Sequence, residues 1–369
     1  MKKGFIISLL LCTVVQSMAF IPLSFSDSTQ IAHKRKKTPI HERVIDEAYQ
    51  QVKKFSQVDT SYVEPQRYNY TFMVQNITNY EFYRISDNTG QHITFAPKPN
   101  MKMGPYFGWR WLVLGYTVDL FHMGSSSKKQ DFALSLYSNE VGVDLFYRKT
   151  GDDFRIRDLQ FNNVENYQKL KDVKFDGFKG SVKGFNVYYI FNHRKFSYPA
   201  AYSQSTVQRR SAGSLLAGIG VTKHTLAINW DKMDHLVTTH LGIENPSEIV
   251  DNSLRFAGIK YTDISFSVGY AYNWVFARNC LFNASLSTAL AYKKSTSDVT
   301  NNYEWFRGFS MKNFNLDGVG RFAIVYNNSK WYAGTQAIFH SYNYKKTQFQ
   351  TSNAFGNVSL YVGFNFGHR

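Results

Sequence analysis

The sequence predicts an all-β fold, an antiparallel up-and-down transmembrane β-barrel of about 12 strands, within a range of roughly 10 to 14, preceded by a short helical or disordered extension. Phe and Tyr contribute 31 and 25 of the 369 residues, and aromatic side chains suit the pleated surface of strands. From Tyr68 onward apolar and polar residues alternate with a period of two, as expected where one strand face meets lipid. No apolar run after the N-terminal region reaches the roughly 20 residues of a spanning helix, so if the chain enters a membrane it must do so as strands.

The first residues predict export from the cytoplasm. Lys2 and Lys3 precede an apolar run over residues 4–15, and the small residues Ser17 and Ala19 follow. This is the pattern of a secretory signal peptide, so we predict that residues 1–19 are removed by cleavage after Ala19. A membrane anchor is the alternative, but the run is shorter than the roughly 20 residues that a spanning helix needs.

Residues 20–66 form a polar segment that differs from the rest, and we predict a periplasmic extension ahead of a barrel over residues 67–369. Thr38-Pro39 is typical of a helix start. The apolar residues that recur at helical spacing after it are Val44, Ile45, Ala48, Tyr49, Val52 and Phe55. The spacing predicts one short amphipathic helix, which either packs under or into the barrel or belongs to a free tail.

The clearest predicted strand covers residues 263–277, which is too long for the usual soluble strand of about 5–6 residues. Its apolar face consists of Ile264, Phe266, Val268, Tyr270, Tyr272, Trp274 and Phe276. Arg278-Asn279 then predicts a tight turn into a second alternating run. The last strand ends at Phe366, three residues before the end of the sequence. A terminal aromatic residue of this kind is what the barrel-assembly machinery is expected to bind.

Other alternating runs predict the remaining strands, and the connections predict the orientation. The runs are 69–86, 91–104, 107–121, 131–148, 181–193, 214–229, 314–326 and 331–345. Within 131–148 the apolar parity switches, which predicts a β-bulge near residues 138–140. The short turns at 277–280 and 327–330 are expected to be periplasmic, and the long connections 295–310 and 232–262 extracellular. The connection 194–213 is long for a periplasmic turn and is expected to be ordered.

Four segments resemble one family when they are taken together. They are Gly104 to Trp111, Asp144 to Lys149, Phe191 to Ala201 and Gly269 to Trp274. In these segments the chain resembles an uncharacterised Bacteroidetes family, domain of unknown function 4421, from about Asp59 to the end. The resemblance implies an outer-membrane β-barrel of a gut or oral Bacteroidetes-type bacterium. It implies no activity, cofactor or catalytic residue.

Motifs for chemistry are scarce, and we predict no catalytic, cofactor-binding or metal-binding residues. No phosphate loop, zinc-ligand spacing or nucleophile elbow occurs in the sequence. A lipid hydrolase is the alternative, but the adjacent His340 and Ser341 point to opposite faces of a strand and cannot act as a pair. The net charge of +16 is not gathered in one stripe, so we predict no nucleic-acid partner. The basic residues are expected to be solvated turn charges or to meet anionic lipid headgroups.

The candidate lumen lining consists of charged residues that lie on the polar face of the alternating strands. They are Asp119, Asp144, Arg148, Lys293, Asp317, Arg321 and His340. They either line a narrow pore or bridge a plugged interior, and bridging is favoured because buried charges must be paired. The sequence therefore predicts a non-enzymatic barrel in a Gram-negative outer membrane, acting as a narrow channel, a ligand-binding barrel or a structural protein. Outer-membrane lipid is the expected partner, and the oligomeric state is not predicted.

Overall fold

Long strands with alternating burial dominate the computed structural model of the chain. It describes residues 57–109, 112–115, 118–119, 129–161, 167–243, 245–246, 254–255, 258–295, 310–345 and 349–368. The predicted signal peptide and the predicted helix after Thr38-Pro39 lie outside these residues. No helix in the described ranges is both long and apolar enough to cross a membrane.

The described strands are β1 (Val63–Pro65), β2 (Tyr68–Asp87), β3 (His92–Pro97), β4 (Asn100–Trp109), β5 (Leu112–Gly115), β6 (Val118–Asp119), β7 (Gln130–Tyr137), β8 (Val141–Lys149), β9 (Phe154–Gln160), β10 (Phe178–Ile190), β11 (Thr206–Gln208), β12 (Ala212–Ile228), β13 (Gly258–Ala277), β14 (Cys280–Ser295), β15 (Phe314–Asn327), β16 (Trp331–Lys345) and β17 (Phe349–His368). The two α-helices are α1 (Tyr198–Tyr202) and α2 (Trp230–Leu241), and short 3-10 turns occupy Tyr167–Leu170 and Met311–Asn313.

The main sheet has 15 strands in the described residues. Twelve of them follow one path in the order β5-β4-β2-β17-β16-β15-β14-β13-β12-β10-β8-β7, and β3, β6 and β9 pair off this path. Every pairing is antiparallel, and sequential hairpins connect β12 through β17. The first long strand pairs with the last, with Tyr70 opposite Phe366 and Asp87 opposite Phe349. The order confirms the predicted antiparallel barrel of about 12 strands.

The outward faces of the strands are apolar, as the alternation predicted. In β13 the seven apolar residues from Ile264 to Phe276 are between 43% and 56% exposed, whereas Asp263, Ala271 and Asn273 on the other face are 0% exposed. Soluble proteins rarely leave so continuous an apolar surface in water. The outer face is therefore the surface that meets lipid.

The predicted β-bulge near Ser138–Glu140 is wrong, because the chain turns there. β7 and β8 form a hairpin with Tyr137 opposite Gly142. Within the turn, the Ser138 amide donates to the carbonyl oxygen of Val141 at 2.9 Å, and the Ser138 hydroxyl donates to the same oxygen at 2.8 Å. The run 131–148 is therefore two strands, β7 and β8. The run 91–104 is likewise divided, into β3 and β4.

One end of the barrel, here called the upper end, contains Asp87, Phe178 and Ile228 and is covered by an apolar cap. The upper cap consists of β3, β9, α2 and the adjoining ends of β2, β10 and β12. Met233, Leu236 and Val237 place one buried stripe of α2 in this core. The predicted extracellular connection 232–262 therefore contains a packed helix in its described part.

The opposite, lower end contains both ends of the described chain and the short turns at 278–279 and 328–330. The connection 194–213 folds back there into a lower plug made of α1 and β11, with β11 paired to β1. Ser197 caps α1 by accepting a hydrogen bond from the Ala200 amide, and all five residues of α1 are buried. The expectation that this connection is ordered is confirmed.

Candidate functional site

The interior of the barrel holds the polar residues of the alternating strands. Six of the seven charges predicted there have described side chains, and these are 7% exposed or less: Asp144 3%, Arg148 3%, Lys293 0%, Asp317 6%, Arg321 3% and His340 7%. For Asp119 only the backbone is described, with Lys102 as its register partner between β4 and β6.

Asp144 and Arg321 form an ion pair that crosses the barrel interior. Asp144 lies on β8 and Arg321 on β15, and β14, β13, β12 and β10 separate these strands in the sheet. An Arg321 guanidinium nitrogen nevertheless contacts the Asp144 carboxylate. The Ser135 hydroxyl donates to the other carboxylate oxygen at 2.6 Å, and the guanidinium carbon lies 4.9 Å from the centroid of the Tyr188 ring. This pair, called the central bridge, therefore ties opposite walls of the barrel together.

Arg148 makes a second connection between non-neighbouring strands. Its Nε lies 3.0 Å from the Asp131 carboxylate on β7. Its Nη1 donates to the carbonyl oxygen of Tyr80 on β2 at 3.2 Å, and its guanidinium carbon lies 4.9 Å from the centroid of the Phe355 ring on β17. Close to it, the Lys129 ammonium donates to the Glu81 carboxylate at 2.5 Å. Lys129 is thus paired, whereas the sequence had suggested a turn or headgroup charge.

Nearer the upper cap, Lys293, Asp317, Asp263 and His224 form the upper charge cluster. The Lys293 ammonium donates to Asp317 Oδ1 at 2.7 Å, and the Asn343 backbone amide donates to the same oxygen at 2.9 Å. Asp263 lies 3.7 Å from the Lys293 ammonium and 3.6 Å from His224 Nε2, both longer than a hydrogen bond, and the contact with His224 is an ion pair only when the imidazole is protonated. These side chains come from β12, β13, β14 and β15, which are neighbours in the sheet.

Aromatic rings enclose the upper charge cluster. Tyr261 and Tyr344 stack with centroids 4.3 Å apart, although β14 and β15 lie between their strands. The His224 ring also stacks on Tyr261, with ring centroids 4.5 Å apart. The Lys293 ammonium lies 5.7 Å from the Tyr261 ring and 5.5 Å from the Tyr342 ring. These rings are themselves buried, with Tyr261 and Tyr344 1% exposed and Tyr342 6%, so they separate the charges from solvent.

His340 differs from the other predicted charges because no ion pair includes it within the described part of the chain. Its ring stacks on Phe355 at 5.1 Å and lies 5.4 Å from Phe146 on β8. Ser341 is exposed, so the two residues point to opposite faces as predicted. Among the described residues no serine hydroxyl donates to a histidine, and the hydrolase alternative gains no support there.

Asp263 and His224 are interior residues that sequence reasoning missed. A signal for Asp263 was present, since it shares the parity of Ser265 opposite the apolar face of 263–277. His224 gave none, because β12 is apolar on both faces: Leu216 is 2% exposed and Leu215 57%. No group of three or more potential metal ligands occurs in the described ranges.

The lower plug seals the barrel interior from below. The Tyr198 and Ser285 hydroxyl oxygens are 2.5 Å apart, and the Tyr202 hydroxyl donates to Asn283 Oδ1 at 2.6 Å. The Gln204 side-chain amide donates to the Tyr361 hydroxyl at 2.7 Å. The hydrogen bonds reach both β14 and β17, so the plug is anchored to more than one part of the wall. These buried polar side chains of the plug therefore have hydrogen-bond partners on the barrel wall.

The family model described as domain of unknown function (DUF4421) matches residues 57–366, and the chain belongs to this family. No protein with a curated description matches the sequence. Among solved structures, the chain is similar to the outer membrane protease OmpT from Escherichia coli, with 6% identity, coverage of 81% of this chain and 97% of that one, and a TM-score of 0.32. It is also similar to the P. putida toluene transporter TodX, with 8% identity, coverage of 82% and 91%, and a TM-score of 0.21. The outer membrane protein OprG from Pseudomonas aeruginosa gives 9% identity, coverage of 82% and 98%, and a TM-score of 0.23. Similarities this low carry no argument about function.

Proposed function

We propose that this member of the DUF4421 family is a non-enzymatic barrel of a Gram-negative outer membrane with a permanently closed interior. It acts through its outer surface and its upper end, as a structural or ligand-binding barrel. The observation that carries the proposal is the central bridge between Asp144 and Arg321, which joins strands on opposite sides of the interior. A diffusion channel needs a continuous polar path, and here Arg321 is paired with Asp144 and Lys293 with Asp317 inside the barrel.

The lower plug and the upper cap support the closed interior independently. α1 is wholly buried at the lower end, and the apolar core of the upper cap spans β2, β3, β9, β10, β12 and α2. A path for ions would have to break packed apolar contacts at one end and hydrogen bonds at the other. Breaking the hydrogen bonds is costly because it leaves polar groups buried without partners.

The orientation in the proposal places the lower end in the periplasm. The turns 278–279 and 328–330 at this end are short, and the connections 229–257 and 296–313 at the upper end are long, although 346–348 there is also short. Short periplasmic turns and longer extracellular loops are typical of outer-membrane barrels. The exposed Phe366 near the end of β17, stacked on Tyr70 at 5.3 Å, is the feature that we propose for recognition by the barrel-assembly machinery. We also propose that a signal peptide, cleaved after Ala19, directs the export of the protein from the cytoplasm.

Ion conductance across a planar bilayer tests the proposal. The mature protein is refolded, its β-structure is checked by circular dichroism, and it is inserted into the bilayer. We expect no discrete current steps from the wild-type protein. We expect steps from a double variant, Asp144→Ala with Arg321→Ala, only if the plug and the cap also open. Discrete wild-type steps whose ion selectivity reverses with Arg321→Glu would overturn the closed-interior proposal and favour a channel.

A further inference from the structure

The outer wall near the upper end carries a group of lysines whose surroundings differ from those of the interior charges. The outer lysine patch consists of Lys149 on β8, Lys179 and Lys183 on β10, Lys223 on β12 and Lys260 on β13. All five are exposed. These strands are consecutive in the sheet, so the patch is continuous across one side of the barrel.

Strand register brings the lysines close together. Lys183 lies directly opposite Lys223, so their Cβ atoms are about 5 Å apart. Lys149 lies opposite Ser181, between Lys179 and Lys183 on the neighbouring strand. From β8 to β13 the patch spans three strand spacings, or about 14 Å. This is the scale of one large lipid headgroup.

Within the described ranges, none of the four strands that carry these lysines has an acidic side chain on its outer face. The two acidic residues of the same strands, Asp144 and Asp263, are buried at 3% and 0% exposure. None of the five lysines forms an ion pair within the described part of the chain, in contrast to Lys232, which pairs with Asp176, and Lys293, which pairs with Asp317. Like charges directly opposite each other in a sheet are destabilising, so the patch costs stability unless an anion lies against it.

The patch lies at the upper edge of the apolar wall. Exposed apolar residues stand two positions away from three of the lysines, on the side of the membrane interior: Tyr147, Phe185 and Val221. On β13 the exposed Ile264 stands four positions from Lys260. Lysine side chains at such an edge extend towards the headgroup layer while their methylene groups stay on apolar surface.

We infer that the outer lysine patch binds the phosphate groups of a membrane lipid headgroup in the leaflet around the upper end. Ammonium groups at the membrane surface attract anionic headgroups, and the apolar wall beneath them holds the acyl chains of the same lipid. With the orientation proposed above, the leaflet is the outer one and the ligand is a phosphorylated glycolipid. The inference rests on the membrane placement in the proposed function, although not on the closed interior.

Binding of synthetic bis-phosphorylated lipid A, measured by native mass spectrometry of the refolded protein in a non-ionic detergent, tests the inference. The test variant replaces Lys149, Lys183, Lys223 and Lys260 with Gln. Each surface lysine contributes about 1 kcal/mol, or about fivefold in affinity, so we expect at least a tenfold weaker binding by the variant. The same lipid without its phosphates is expected to bind the wild-type protein as weakly as the variant binds lipid A.

A matched control variant removes the same charge from the upper cap, with Lys98, Lys169, Lys171 and Lys174 replaced by Gln. All four are exposed, and we expect this control to bind lipid A as the wild-type protein does. Equal loss of binding in the two variants, or equal binding of lipid with and without phosphates, would overturn the inference. Inorganic phosphate in millimolar excess is expected not to displace the lipid; displacement would show a site for free phosphate and overturn the lipid assignment.

Thermal stability gives a second readout that does not depend on the ligand titration. In detergent without anionic lipid, the four-lysine test variant is expected to melt at the same temperature as the wild-type protein or higher, because like-charge repulsion is removed. Added lipid A is expected to stabilise the wild-type protein more than the variant. A variant that melts lower without lipid would mean that the lysines stabilise the barrel itself, which contradicts the inference. Conductance plays no part in either readout, so failure here leaves the closed-interior proposal standing.

Discussion

Breaking the central bridge is the most direct test of the interior architecture. Arg321→Met leaves the Asp144 carboxylate buried without its cation, and removal of one partner of a buried ion pair costs roughly 3–5 kcal/mol. The Ser135 hydroxyl still donates to Asp144 at 2.6 Å, which lowers the cost, whereas loss of the guanidinium over the Tyr188 ring adds about 0.5–2 kcal/mol. We expect Arg321→Met to lower the free energy of unfolding by about 3–5 kcal/mol.

The matching single variant and the double variant complete a thermodynamic cycle. Asp144→Asn keeps the shape of the side chain but leaves the Arg321 guanidinium unpaired, since arginine does not lose its proton. We expect a cost of similar size, about 3–5 kcal/mol. The double variant contains neither charge and is expected to lie within about 2 kcal/mol of the wild-type protein, because replacing a whole buried pair by neutral groups is often close to neutral.

Urea unfolding of the refolded protein in lipid vesicles, followed by fluorescence of its 6 tryptophans, measures all four proteins. Lys232→Gln is the control, because its ion pair with Asp176 at 2.5 Å is about half exposed on both sides and such pairs contribute about 0–1 kcal/mol. An effect of Arg321→Met below about 1 kcal/mol, together with additivity within about 0.5 kcal/mol, would refute a bridge across the interior.

Three further variants test the upper charge cluster, the fit of the interior rings and the upper cap. Lys293→Met is expected to cost at least about 3 kcal/mol in urea unfolding, and adding Asp317→Asn is expected to recover part of the loss. Gly142→Ala places a Cβ 2.1 Å from the Tyr188 ring, so we expect a loss of about 1–3 kcal/mol by the same measurement, relieved by Tyr188→Leu. Met233→Ala opens a cavity in the upper cap worth about 2–5 kcal/mol, and limited proteolysis is expected to cut residues 229–258 faster while the circular dichroism of the barrel is unchanged.

The outer surface of this barrel was predictable from sequence because the side chains that face lipid must be apolar. Every second residue of β13 from Ile264 to Phe276 is apolar and exposed, and the turn at Arg278-Asn279 separates β13 from β14 as predicted. At Asn279 the backbone has φ of +64°, which asparagine tolerates better than most residues. The alternation of apolar and polar residues and the turn motif each depend only on neighbouring residues, so both can be recognised in a single sequence.

The interior was predictable only in part, because its contacts join distant parts of the chain. Asp144 and Arg321 are 177 positions apart, and nothing in the alternation of either strand identifies the other as its partner. The predicted bulge at 138–140 failed for a related reason. A change of apolar parity fits an extra residue in one strand as well as a tight hairpin between two, and the Ser138 hydrogen bonds that favour the hairpin are not visible in a hydrophobic pattern.

The distribution of charge between the two faces of the wall constrains where this protein can act. Inside, cations are matched by carboxylates, as Arg321 by Asp144 and Lys293 by Asp317, and rings fill the space between them. A ligand entering there would have to displace ion pairs that anchor opposite strands, at a cost of several kcal/mol each. Outside, the lysines opposite each other at Lys183 and Lys223 have no protein partner in the described residues. The interior charges are paired with each other, so removing one partner is costly, whereas the unmatched charges on the outer wall are the ones available to a ligand.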